Sequence, residues 1–219
     1  EISQAAALLS WLADEHFAFL GYREYTLEHV TIDGVEEDCL RAVPGTGLGI
    51  LRADQVMSES FGRLPDLVKA KAREKTLLVL AKANSRATVH RPAYLDYVGV
   101  KTFGPDGEVS GERRFLGLFS SAAYTESMMR IPLIREKAEE VLRRSGFDPR
   151  SHAGKALMDT LETYPRDELF HTPIEELAPM AEAAMAAGER RAVRMLIRRD
   201  IYGRYVSVSV YLSHDRFIT

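Results

Sequence analysis

The chain has 219 residues, 46% of them apolar, and a formal charge of −3. That length suits one large domain or two small ones with ordinary buried cores, and so small a charge excludes a polyanion binder acting by bulk electrostatics. A single cysteine, Cys39, excludes an internal disulfide framework and any multi-cysteine zinc site, and fits a reducing compartment.

Ala5, Leu8, Leu9 and Leu12 recur at helical spacing and predict an amphipathic helix over 1–15. Its run AAALLSWLA is far short of the ~20 apolar residues a membrane span needs, and no basic leader precedes it. A cytoplasmic protein is expected, and both ends, Glu1 and YLSHDRFIT, read as cut from something longer. FAFLGYREYTL (17–27) is aromatic-rich and strand-like, and the Asp33-Gly34 turn leads into EDCLRAV. PGTGLG (44–49) then breaks the chain, and a short helix is expected near 64–72. TLLVLAKA (76–83), AYLDYVGVKTF (93–103) and ERRFLGLFSS (112–121) are strands, the last two joined by the hairpin turn GPDGEVSG. The pattern is α+β, with an antiparallel five-stranded sheet.

After 130 the texture is helical. Ile134, Ala138, Val141 and Leu142 form one stripe, stopped by Gly146. Ala153, Leu157, Leu161 and Tyr164 form a second over 152–164. Thr172-Pro173-Ile174-Glu175 reads as a capped helix start, with Ile174, Leu177, Ala181 and Ala184 turned inward and a stop at Gly188. Two strands, AVRMLIRRD and RYVSVSVYL, follow around a tight IYG; in the second, Val206, Val208, Val210 and Leu212 alternate with polar residues. The tail is expected to run strand–helix–strand–strand, like a ferredoxin-like βαββαβ unit short of its last helix and strand, which leaves an edge and an apolar face uncovered.

PGTGLG is not a dinucleotide fingerprint: position 50 is Ile, and no helix is expected behind it. There is no GxSxG elbow, Cys39 lies in a strand as a buried thiol, and His16, His29, His90, His152, His171 and His214 are scattered. Residues 189–204 hold six arginines against Glu189 and Asp200, a net +4. Without the glycine-aromatic core of an RNA-binding sheet they read as a solvated face or a contact to an acidic neighbour, not as a nucleic-acid site. The stretch AKANSRATVHRPAYLDYV (81–98) is the best polar candidate. Asn84, Arg86, His90, Arg91 and Tyr94 can offer donors to a carboxylate or phosphate, or meet a neighbouring subunit; the alternative is a plain surface loop whose Pro92 sets the entry to the next strand.

The runs LAKANSRATVHRPAYLDYVGVK, GERRFLGLFSSAAYTES, LETYPRDELFHTPIEEL and RRDIYGRYVSVSVYL resemble the N-terminal regulatory region of the large bacterial NAD-dependent glutamate dehydrogenases. The resemblance implies a PAS-like α+β domain over 1–130, a helical connector over 131–165, and the N-terminal part of an ACT-like (βαββ) domain over 166–219. It further implies a non-catalytic regulatory or oligomerisation segment, with homo-oligomeric partners and an amino-acid or metabolite effector. Glutamate oxidation and NAD would belong to other parts of the parent enzyme, and no catalytic, cofactor or metal residue carries over. A purely structural subunit-interaction module and a free-standing sensor are the alternatives.

Overall fold

The computed structural model describes residues 2–32, 35–52, 59–60, 74–186, 193–199 and 206–212. Several expected features lie outside that set: the 33–34 turn, the helix near 64–72, the stop at Gly188, the IYG turn, Arg190, Arg191, Arg204 and His214. The chain divides into two compact units, Glu1–Glu126 and Ser127–Thr219.

The first unit opens with helix α1 (Ile2–Trp11), which buries Ala5 and Leu8 completely. The chain unwinds at Glu15, whose φ is 62°. It then enters β1 (Phe17–Ile32), followed by β2 (Val35–Ala42), the two-residue β3 (Leu48–Gly49) and β4 (Glu59–Ser60), β5 (Leu78–Arg86), β6 (Tyr94–Phe103) and β7 (Val109–Phe119). The sheet order is β4-β2-β1-β7-β6-β5, with β3 paired to β1 and every pairing antiparallel. The five long strands are those expected from sequence; the two short ones carry no periodicity that could announce them. Alternation places Leu95, Leu116 and Leu118 together on one face, packed with Ala87, while Tyr25 and Leu40 form a second apolar cluster beside β2. Helix α2 (Ser121–Thr125), capped by the Ser120 hydroxyl, closes the unit.

The second unit begins with a 3-10 turn (Met128–Arg130) and continues through α3 (Ile134–Ser145), α4 (His152–Glu162), α5 (Arg166–His171) and α6 (Ile174–Ala186), then the hairpin β8 (Val193–Arg199) and β9 (Val206–Leu212). All four residues of the first expected stripe are buried in α3, and Gly146 ends it at φ 71°. Leu157, Leu161 and Tyr164 are likewise buried, as are Leu177, Ala181 and Ala184.

Two expectations need correction. Between α4 and α6 there is no strand: Arg166–His171 is a helix, so the tail runs helix–helix–strand–strand. Its fixing is tertiary. Lys137 of α3 donates to the carbonyls of Leu169 (2.7 Å), Phe170 (3.0 Å) and Thr172 (3.0 Å), filling acceptors that a helix end leaves open. Buried Arg166 donates to the Glu162 and Tyr164 carbonyls and to the Glu162 carboxylate, which also accepts from Met128 N–H. Thr172, expected to cap α6, instead turns its hydroxyl back to donate to Glu168, and the Pro173 carbonyl takes the first hydrogen bonds of the new helix.

Candidate functional site

The polar stretch chosen from sequence forms the β5–β6 connection. The ladder runs from Leu78 opposite Val100 to Lys82 opposite Asp96, slips, and resumes with Arg86 opposite Tyr94. There the Arg86 guanidinium lies over the Tyr94 ring, 4.8 Å from its centre, a cation–π pair on an exposed surface. The Ala87 N–H donates to the Ala93 carbonyl at 2.8 Å, and Ala87 itself is buried against Leu95 and Leu118, so the base of the loop is fixed. Its tip holds two three-residue turns, Arg91 N–H to Val89 carbonyl and Ala93 N–H to Arg91 carbonyl. Pro92 suits the centre of the second, since its ring presets a negative φ. His90, at the centre of the first, has φ 73°, a conformation that costs a non-glycine residue on the order of 1 kcal/mol. We expect His90→Gly to raise thermal stability by ~0.5–1 kcal/mol; an unchanged melting temperature would mean the turn carries no strain.

The five chosen residues are not all convergent. Arg86 and Tyr94 meet, and Asn84 and His90 are exposed. Arg91 is turned away from them: its Nη2 donates to the Phe119 carbonyl at 2.9 Å, and its guanidinium lies 5.8 Å from the Tyr124 ring centre. Arg91 thus ties the loop to the end of β7 and to α2, and Arg86–Tyr94 is left as the pair that faces solvent.

Sequence reasoning missed a buried charged band on the sheet. Register puts Arg23 opposite Arg114, Tyr25 opposite Glu112 and Lys101 opposite Glu112, all on the face that carries Leu116. Arg23, Lys101, Glu112 and Arg114 are all buried. Arg114 Nε donates to Glu112 at 3.1 Å and its guanidinium sits 4.1 Å from the Tyr25 ring centre. Tyr97 donates to the same carboxylate, and burial foremost pushes its phenol well above the ordinary range. A Cβ on Gly99 would lie 3.1 Å from that carboxylate, so the glycine makes room for it. The one available signal was Glu112 and Arg114 two apart, in phase with Leu116 and Leu118.

On the opposite face a cleft of about 520 Å³ is lined by Phe19, Tyr22, Phe115, Arg113 and β3. PGTGLG supplies one wall. Its Gly49 has φ 57° and approaches so closely that a Cβ would fall 2.0 Å from the Leu20 carbonyl. The segment pairs with β1 and runs into a turn, and among the described residues no helix opens behind it to face a dinucleotide phosphate. Cys39 is buried, as expected of an inert thiol. Among the described residues no helix is long and apolar enough to cross a membrane.

Comparison with known proteins places this arrangement among relatives. Residues 131–190, which include α3 to α6, match a family described as "Glutamate dehydrogenase, helical motif 1". The whole chain is 41% identical to an NAD-specific glutamate dehydrogenase of Pseudomonas aeruginosa, and 99% of it is 38% identical to one of Halomonas elongata. Over 97% of the chain, identity to one of Mycobacterium tuberculosis is 34%. The chain spans only 12–13% of the length of these relatives.

Proposed function

We infer, from a likeness that runs the whole length of the chain, that it is a segment of an NAD-specific glutamate dehydrogenase, the enzyme that oxidatively deaminates L-glutamate to 2-oxoglutarate and ammonia with NAD. The segment itself is regulatory and assembly-forming, and NAD and glutamate are held elsewhere in the parent. Supporting this is the end-to-end match at 34–41% identity to about one eighth of such enzymes. Residues 1–130 serve as a PAS-like sensor domain, 131–165 as a helical connector, and 166–219 as the first part of an ACT-like domain. The β8–β9 hairpin after α6 suits the last of these, although α5 replaces the strand expected before it. The partners are the other domains and subunits of a cytoplasmic homo-oligomer, with an amino acid or related metabolite as effector.

An effector changes a distant active site only by binding two states of the assembly unequally. The exposed Arg86–Tyr94 pair, with Asn84 and His90 beside it and Arg91 holding the loop, is the surface proposed to make that distinction. The test is thermal unfolding of the chain against amino acids, nucleotides and central metabolites. Ligand at 100 times its dissociation constant adds about 2.7 kcal/mol, a rise of roughly 5–10 °C for a protein of this size. In the full-length enzyme, Arg86→Ala is expected to weaken the effector response at least ~10-fold, about 1.4 kcal/mol of coupling. Unchanged response and assembly in both Arg86→Ala and Arg91→Ala would remove the loop from this role.

A further inference from the structure

The cleft on the aromatic face of the first unit is built by a break in strand alternation. β1 pairs with β7 as Phe19 opposite Gly117 and Gly21 opposite Leu116, so Leu20 is an extra residue in the ladder. A bulge of this kind re-aims the side chains that follow it. Phe19 and Tyr22, three residues apart, therefore share a face with Phe115, which strict alternation would not allow. The bulge is clamped by β3: the Leu20 carbonyl accepts from Ile50 N–H at 2.9 Å, and the absence of a side chain on Gly49 permits that approach. Three rings are brought together, those of Phe19 and Tyr22 lying 5.8 and 4.9 Å from the centre of Phe115. Phe19 is nevertheless 48% exposed and Leu48 across the cleft 61%. The space they leave open, about 520 Å³, is within the ~300–1,000 Å³ of small-molecule sites.

Charge sits at one end of this cleft, as a matched pair. Register sets Arg113 of β7 opposite Glu24 of β1, each two residues beyond an aromatic ring, Phe115 and Tyr22. Arg113 Nε and Glu24 Oε1 are 3.9 Å apart, too far for a hydrogen bond. Glu24 Oε1 accepts the Tyr22 hydroxyl at 2.6 Å. Burial foremost, then Glu24, pushes the Tyr22 phenol up to about 12, so it stays a neutral donor to that carboxylate. Among the described residues no side chain bonds to Glu24 Oε2 or takes the Arg113 fork. A guanidinium fork matches a carboxylate, and a free carboxylate oxygen matches an ammonium. Those are the two charged groups of an α-amino acid. The rings beside them suit an aromatic side chain, which packs edge to face or offset at such spacings.

We propose that this cleft binds a free aromatic α-amino acid, its carboxylate on Arg113, its ammonium on Glu24 Oε2 and its ring against Phe115. A regulatory role for that ligand rests on the reading of the chain as a segment of a glutamate dehydrogenase; the binding does not. The test is calorimetric titration of the full-length polypeptide with L-phenylalanine, 3-phenylpropionate, phenethylamine and L-leucine. Phenylpropionate lacks the ammonium and phenethylamine the carboxylate. Each is expected to bind at least ~5-fold more weakly than phenylalanine, the share of a charge-assisted hydrogen bond at a half-exposed site. L-leucine keeps both charges without a ring, and is expected to bind at least ~2-fold more weakly. Glu24→Gln, which still accepts from Tyr22, is expected to weaken phenylalanine ~5-fold and leave phenylpropionate unchanged. Arg113→Gln is expected to weaken phenylalanine equally and leave phenethylamine unchanged. Both side chains reach solvent, 37% and 58% exposed, so neither variant removes core packing. No saturable phenylalanine binding overturns the proposal, as does wild-type affinity in both variants. Equal binding of phenylpropionate or phenethylamine overturns the amino-acid assignment, and equal binding of leucine the aromatic one. Glutamate-dependent NAD reduction is measured with and without L-phenylalanine. Binding that leaves turnover unchanged keeps the site and removes the regulatory role; binding with no turnover keeps the site and removes the enzyme reading. Turnover without binding does the reverse.

Discussion

Arg114→Met is expected to destabilise the first unit by about 3–5 kcal/mol, the usual cost of removing one member of a buried ion pair. Arg114 is 8% and Glu112 7% exposed, so the carboxylate left behind has little access to water. The guanidinium also caps the Tyr25 ring and lies 5.2 Å from the Tyr97 ring centre, so packing is lost with the charge. Its cross-strand neighbour is Arg23, a like charge that on its own opposes this pairing; Glu112 and the tyrosine rings are what make two guanidiniums tolerable on one face. Glu112→Gln added to Arg114→Met should return part of the loss, because the stranded charge is removed as well. Urea unfolding of the four proteins in that cycle measures the coupling. A single-variant loss below about 1 kcal/mol would show that water reaches this band.

Lys137→Met is expected to cost the second unit about 2 kcal/mol at pH 7. Three buried carbonyls at the end of α5 lose their donor, each worth roughly 1–3 kcal/mol when left unsatisfied, and relief from burying an ammonium offsets part of this. The same lysine gives the protein a pH dependence. Burial pushes its pKa down from 10.5 to about 8, with the Glu175 charge acting in the opposite direction. Below pH 8 the folded and unfolded chains are both protonated, and the cost of the buried charge is fully present. Between about 8 and 10.5 the unfolded chain holds the extra proton, so stability rises with pH, by up to ~3 kcal/mol over the window. Thermal unfolding of wild type and Lys137→Met at pH 7 and 10 separates the two contributions. The variant should lack the alkaline gain, and an equal gain in both would place the titration elsewhere.

What sequence made legible here was whatever repeats. Ile134, Ala138, Val141 and Leu142 all went inward because the 3.6-residue period leaves a helix one apolar stripe, and Gly146 stopped it because the left-handed residue there carries no Cβ penalty. The α+β class and the five long strands followed from alternation and turn chemistry in the same way. Arg166–His171 was missed because six residues hold fewer than two helical turns of pattern, and their helix is set by Lys137 and Arg166, contacts that depend on the fold itself. The buried band was invisible for a related reason. Glu112 and Arg114 look like surface charges until β1 and β6 bring Arg23, Tyr25, Tyr97 and Lys101 onto the same face. In the candidate loop, residue type suggested donors in number. Only coordinates show that Arg91 spends its donor on Phe119 while Arg86 stacks on Tyr94.

The position of β1 has a consequence for synthesis. It lies between β2, its immediate successor, and β7, where Phe17 faces Phe119. A ribosome adding 5–20 residues per second needs on the order of 5–20 s to make the roughly one hundred residues between those two positions. Throughout that interval the emerging β1–β2 ribbon lacks the partner of its Phe17–Thr26 flank, which is rich in aromatic side chains and open to any nascent neighbour on the same messenger. The first unit is thus committed only once β7 has been made, and chaperone capture or a codon-dependent pause before residue 109 should change its yield more than the same event after residue 119.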